Sequence, residues 1–194
     1  AETKKELSKT TNKLDAVRRC IKGYDCKFIA KEKLKHIVSK EAFNIDGLGK
    51  KVIDHFWKLK LIRNPSDIFE LDYNKIRNLE GWGDLSVKNL KNAIEQAKKI
   101  NLNRFIFSIG IRHIGQENAK ILASFFKNIL QFTNLFNKTK RDEILKNLRD
   151  LDGIGETQIL SIDSFFKKDS NVNIVKKLIT KLNIQVFRET NKTG

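Results

Sequence analysis

The 194-residue chain has no methionine, one proline, two cysteines and two tryptophans. Each scarcity excludes something. No apolar run approaches the ~20 residues that a membrane-spanning helix needs, so a membrane protein is excluded, and the first residues lack the apolar stretch of a secretory signal. Two cysteines cannot build a disulfide framework, and a Lys-rich chain so poor in cysteine reads as intracellular. A chain without methionine that starts Ala1-Glu2 is expected to be a piece of a longer protein. With so little proline, little interrupts long helices.

What is present is basic. Thirty-nine Lys and Arg face 23 Asp and Glu, a formal charge of +16, while 40% of the residues are hydrophobic and 13 are Phe. That apolar content can bury one or two cores, so wholesale disorder is excluded. The charge points to a polyanion, most often nucleic acid. A compositional bias rich in Lys, Asn, Ile and Phe would give the same number, so the charge must be found beside something that binds phosphate.

Periodicity predicts an all-α body. Helical spacing runs over Lys31–Phe43, Val52–Lys60, Leu85–Ile100, Arg104–Ser108, Asn118–Phe126, Arg141–Leu148, Gln158–Phe166 and Ile174–Leu182. Asn64-Pro65 is a strong helix start, with Asn64 as cap and Pro65 in the first turn. Strand-like alternation is confined to the ends, at Ala16–Cys20 and Ile184–Phe187.

The helices break in one recurring way: apolar, any residue, Gly, apolar, Gly, then a helix. The pattern reads Ile45-Asp46-Gly47-Leu48-Gly49, Leu79-Glu80-Gly81-Trp82-Gly83 and Leu151-Asp152-Gly153-Ile154-Gly155, with a degraded copy at Ile111-Arg112-His113-Ile114-Gly115. The closing glycines fall at 49, 83, 115 and 155. Two glycines around one apolar residue allow a tight reversal, because Gly reaches φ > 0 without a Cβ penalty. The apolar residue tucks inward, and the following helix presents unpaired N–H groups and a positive dipole end, a ready site for an anion. Such a turn holds a phosphate through its backbone and ignores base sequence. A single copy would be read as a compact connection; four in a +16 chain point to DNA.

This unit resembles the helix-hairpin-helix motif, which works in pairs across the two strands of a duplex, here hairpin one with two and three with four. The copies are unequal. Lys50 and Lys51 follow Gly49 and make hairpin one the best binder, whereas Asp84 and Glu156 cap their helices but repel phosphate, with Lys88 compensating for Asp84. In hairpin three, His113 replaces the first glycine as a turn residue and leaves Gly115, Gln116 and Lys120 as contacts. The DNA-binding set is completed by Gly47, Gly49, Gly81, Gly83, Gly153, Gly155 and Thr157.

Cys20 and Cys26, with Gly23 between them, are at a spacing compatible with metal ligation, but tetrahedral zinc takes four ligands. Spacing alone leaves two structural cysteines and half of a metal site both open. His36, on a helix ten residues later, is expected to be solvated rather than recruited as a ligand.

The run from Arg19-Cys20 through Asp25-Cys26, followed by KLKHIVSKEAFNIDGLG at 33–49, resembles the bacterial NAD-dependent DNA ligases, and Leu79–Gly83, FIFSIGIRHIG at 105–115 and Leu151–Gly155 continue the likeness in order. The likeness covers about Ala16 to Val186. It implies a partial four-cysteine zinc finger over 1–29, of which Cys20 and Cys26 are the second half. It implies four hairpins in two pseudo-two-fold pairs over 30–185, and a linker toward a BRCT domain over 186–194. The family's first Cys pair and its Lys-x-Asp-Gly adenylation motif have no counterpart here, so the resemblance assigns NAD and Mg to other parts of the parent. The implied role is monomeric, non-catalytic gripping of nicked double-stranded DNA in the bacterial cytoplasm. Two alternatives stay open: a repair nuclease or glycosylase built on paired hairpins, for which Asp150 and Asp152 are the nearest acids, and a protein scaffold whose charge is compositional.

Overall fold

The computed structural model describes residues 3–7, 14–20 and 26–190, with side chains from residue 26 onward. Strands β1 (Thr3–Leu7) and β2 (Leu14–Cys20) pair antiparallel, with Thr3 opposite Cys20 and an irregularity between Lys5 and Leu7. The remainder is mostly helical. In α1 (Lys27–Val38), Ala30, Leu34, Ile37 and Val38 form a buried stripe at three- and four-residue spacing. The helix stops at Ser39, whose hydroxyl donates to the His36 carbonyl at 2.6 Å, rather than continuing to Phe43. That early stop turns Ala42, Phe43 and Ile45 into the core.

Four helices begin at the residue directly after a closing glycine: α2 (Lys50–Lys58), α4 (Asp84–Ala97), α6 (Gln116–Phe126) and α9 (Glu156–Phe166). They pair with α1, α3 (Tyr73–Arg77), α5 (Leu102–Ser108) and α8 (Lys138–Leu148), so each glycine turn joins two packed helices. The short α3, α7 (Ile129–Phe132) and the 3-10 turn Thr133–Phe136 were not expected from periodicity, being too short to show one. Asn64-Pro65 does start a helix, and the Asn64 amide donates to Asp67 at 3.0 Å, but the segment Pro65–Glu70 is 3-10. Helix α10 (Asp169–Ile179) starts earlier than expected.

The expectation that strands are confined to the ends is corrected. Helix α4 ends at Ala97, and Lys99–Asn101 form β3, which pairs parallel with β4 (Asn183–Gln185), with Ile100 opposite Ile184. Ile100 is buried by that distant partner, which local periodicity cannot report.

One core runs from Leu34 in α1 to Leu178 in α10. Phe132 meets Phe105, Phe126 and Phe166 edge-on at 5.3–6.3 Å. Polar links join the first half to the second. The Arg104 guanidinium donates to the Ala42 carbonyl at 2.8 Å and to the Lys40 carbonyl, and Lys181 pairs with Glu70, holding that carboxyl below its ordinary range. His36 is half-buried rather than fully solvated: its Nε2 lies 2.8 Å from the Phe107 carbonyl and its ring packs on Phe107. No described helix is long and apolar enough to cross a membrane.

Candidate nucleic-acid interface

The four glycine turns share one backbone. The residue at the first-glycine position has φ of +82° at Gly47, +81° at Gly81 and +87° at Gly153, and His113 keeps the same conformation at +65°. In each, the apolar residue's amide bonds back three residues: Leu48 to Ile45, Trp82 to Leu79, Ile114 to Ile111 and Ile154 to Leu151, at 3.1–3.3 Å. This is the form of a type II turn, whose third residue needs φ > 0. His is among the residues that tolerate that region best, so hairpin three survives the loss of its glycine.

The second glycine behaves otherwise, which corrects the expectation that both supply φ > 0. Gly49, Gly83, Gly115 and Gly155 are extended, with φ between −81° and −131°, and each is the N-cap of its helix. A Cβ at Gly49 or Gly83 would meet nothing within 4 Å, so the fold itself does not require glycine there. Leu48, Ile114 and Ile154 are buried as expected, whereas Trp82 is only half-buried and packs on Phe56 of α2 at 5.5 Å.

Each helix makes its first backbone bond at its fourth residue: Ile53 to Gly49, Val87 to Gly83, Ala119 to Gly115 and Ile159 to Gly155. The three amides before it project from the helix end. In hairpins three and four a side chain turns back to the cap, so that the Gly115 amide donates to Asn118 at 3.1 Å and the Gly155 amide to Gln158 at 2.9 Å. Val52 occupies that place in α2 and has no acceptor to offer.

Lys50, Lys51, Lys88, Gln116 and Thr157 are exposed around these helix starts. Lys120 is half-buried and its ammonium lies 2.9 Å from Glu117, one turn earlier on α6. Lys88 lines a groove of about 670 Å³ with Tyr73, Arg77, Asp84 and Lys91.

The acids at the starts of α4 and α9 are not lone repulsive charges. Arg77 Nε lies 2.9 Å from Asp84, and Arg149 grips Glu156 with Nε and Nη2 at 3.2 and 3.3 Å, raising the guanidinium's pKa further. Both arginines sit seven residues before their acid, at the end of the preceding helix, and about half of each side chain stays exposed, 52% and 51%. Sequence reading missed these arginines; the signal was a basic residue seven before an acid, twice. The corresponding positions of hairpins one and three are the buried Phe43 and Ile109.

Hairpins three and four are in contact: the Asn118 side chain donates to the Gly153 carbonyl at 2.9 Å, and a Cβ at Gly153 would lie 2.5 Å from Ile121 of α6. Residues 104–175, which contain both, match the family model described as the helix-hairpin-helix motif. Along its entire length the chain is 49% identical to a DNA ligase of Pelagibacter ubique (strain HTCC1062) over 195 residues, and over 91% of its length it is 40% identical to DNA ligases of Rickettsia bellii and Rickettsia typhi. The chain matches a segment of the DNA ligases. It spans 28% of the Pelagibacter ligase and 27% of each Rickettsia ligase. All four glycine turns lie inside the ligase-like segment, including the first two, which fall outside the motif match.

Of the other expected ligands, Cys26 is buried at the N-cap of α1 and Cys20 ends β2, its side chain outside the described residues. Among the described residues no three His, Cys, Asp or Glu side chains gather as a metal site would require.

Proposed function

We propose that this chain grips double-stranded DNA, independently of sequence, for a bacterial NAD-dependent DNA ligase that seals nicks in replication and repair. The observation that carries the reading is the pair of open glycines, Gly49 and Gly83. Neither φ nor packing requires glycine there, yet each stands beside three outward amides, so the missing side chain makes room for something outside the fold. A phosphate fits that space, that charge and those donors. The hairpins act as two pseudo-two-fold pairs, one pair for each stretch of duplex, and the chain works as a monomer.

In this reading the amides beside Gly47, Gly49, Gly81, Gly83, Gly115, Gly153 and Gly155 take phosphate oxygens, with Lys50, Lys51, Lys88, Gln116 and Thr157 adding charge or donors. Lys120 contributes after release from Glu117. Strand sealing belongs to other parts of the parent: no Lys-x-Asp-Gly occurs here, and NAD and Mg act there. Cys20 and Cys26, ahead of the hairpins, serve as half of a four-cysteine zinc site spanning 1–29, and 186–194 lead toward a BRCT domain. Supporting the zinc role are the antiparallel strand pair ending at Cys20 and the burial of Cys26. With only two thiolates the chain should hold far less than one zinc per molecule when its metal content is measured.

The test is titration of random-sequence duplexes over a salt series. Four to six neutralised phosphates give a slope of log K against log salt of about −4 to −5. A salt-independent or strongly sequence-dependent affinity would sink the reading, and turnover of nicked or abasic DNA with Mg²⁺ would favour the nuclease or glycosylase.

A further inference from the structure

Hairpins two and four carry an acid on the first residue of their second helix, where a phosphate-binding site would be expected to exclude one. In both, an arginine at the end of the preceding helix reaches across the hairpin mouth to that acid. Side chains this exposed gain little stability from pairing. A guanidinium has five N–H donors; the carboxylate takes two at Arg149 and forms an ion pair with Nε at 2.9 Å at Arg77, so donors remain on both beside the outward amides of α4 and α9. The carboxylate biases a long, flexible side chain toward the mouth of the turn.

We infer that Arg77 and Arg149 are phosphate-contacting side chains of hairpins two and four, and that Asp84 and Glu156 are positioning residues for them rather than repulsive charges. The inference rests on the duplex-binding reading above and adds to it a division of labour. Hairpin one carries its cation on the second helix, at Lys50 and Lys51, while hairpins two and four carry theirs on the first helix and hold it in place with an acid. In hairpin two, Lys88 and Lys91 continue the cationic wall of the groove that Arg77 and Asp84 line.

Charge counting and positioning predict opposite signs, which makes the idea testable on the whole chain. R77A and R149A should each lower duplex affinity about five- to tenfold at 0.1 M salt and reduce the salt slope by about 1. D84N and E156Q should also weaken binding, although each removes a negative charge. E80Q, at an exposed acid inside the turn of hairpin two, is the control and should tighten binding as charge alone requires. R77K, which keeps the charge but loses the planar fork, should preserve the slope while weakening binding. Thermal melts confirm that each variant is folded.

If D84N and E156Q tighten binding as E80Q does, the positioning role is overturned. Should R77A and R149A lower the melting temperature and leave the slope unchanged, the pairs are latches between helices and the phosphate role is overturned. Both results presuppose that the unsubstituted chain binds duplex; failure of that chain to bind at low salt would instead overturn the duplex-binding reading itself.

Discussion

Hairpins one and two leave their turns open, whereas three and four close theirs from within. A Cβ at Gly47, Gly49, Gly81 or Gly83 would touch nothing within 4 Å, but one at Gly153 would strike Ile121, and Asn118 and Gln158 already take the cap amides of Gly115 and Gly155. The same turn therefore does two jobs. In the second pair part of its bonding capacity is spent on holding the hairpins together; in the first pair that capacity faces outward. The joint beneath hairpin four is correspondingly polar: buried Arg141 of α8 lies 3.1 Å from Asp163 of α9 and donates to the Leu135 carbonyl at 3.0 Å. Burial works against the Asp163 charge, yet Lys167 and Arg141 outweigh it and hold that carboxyl below its usual range. Counting back equally from Arg77 places Phe69 at the matching position of the first pair, buried and packed on Phe43.

Arg141→Ala should show the greatest difference, lowering the unfolding free energy by about 3–5 kcal/mol, because it empties a buried site, leaves the Leu135 carbonyl without its donor and leaves Asp163 with Lys167 alone. Urea denaturation measures this, and a loss below about 1 kcal/mol would mean that the second pair is not locked through this joint. Next, Gly153→Ala should cost about 1.5–3 kcal/mol, from positive φ and from displacing the terminal methyl of Ile121, while Gly47→Ala meets only the backbone term of about 1–2 kcal/mol. Equal losses would erase the distinction between closed and open turns. Gly49→Ala should change stability by no more than about 0.5 kcal/mol, since its φ suits any residue and the space is empty. Its duplex affinity should nevertheless fall about tenfold, as expected for one lost charge-assisted hydrogen bond; unchanged affinity would leave the open glycine without a purpose.

The smallest effect concerns the seam between the pairs. Lys33 of α1 extends over the Phe165 ring at 5.5 Å, and burial together with the Lys168 charge pushes its pKa down to about 8 from 10.5. The unfolded chain then holds a proton that the folded chain has released, so this residue makes stability rise as pH goes from about 8 to 10.5. Denaturation at pH 7.5 and 10 should show that rise, and Lys33→Met should remove it.

The hairpins were legible because their signal is local: a Gly–apolar–Gly triplet before a helix is visible within five residues, and four copies give its register. The helices at Lys50 and Glu156 start two residues before their periodic stretches at Val52 and Gln158, because the first buried residues, Ile53 and Ile159, come three residues into each helix. Strand β3 was invisible because Ile100 owes its conformation to Ile184, far along the chain. The Arg77–Asp84 and Arg149–Glu156 pairs are not legible from either charge alone, because the partners lie seven residues apart and only the turn between them brings them together. Zinc ligation remains tied to family likeness, since two cysteines define a distance and not a coordination shell.

His113 has a broader consequence. At three turns the left-handed angle is supplied by glycine, and at the fourth it persists at +65° on a residue with a side chain. What descends from copy to copy is then a dihedral rather than a letter. The turn tolerates a change of side chain at this position, provided the new residue can be held in that one region of backbone space. What the four copies share is an angle more than an amino acid.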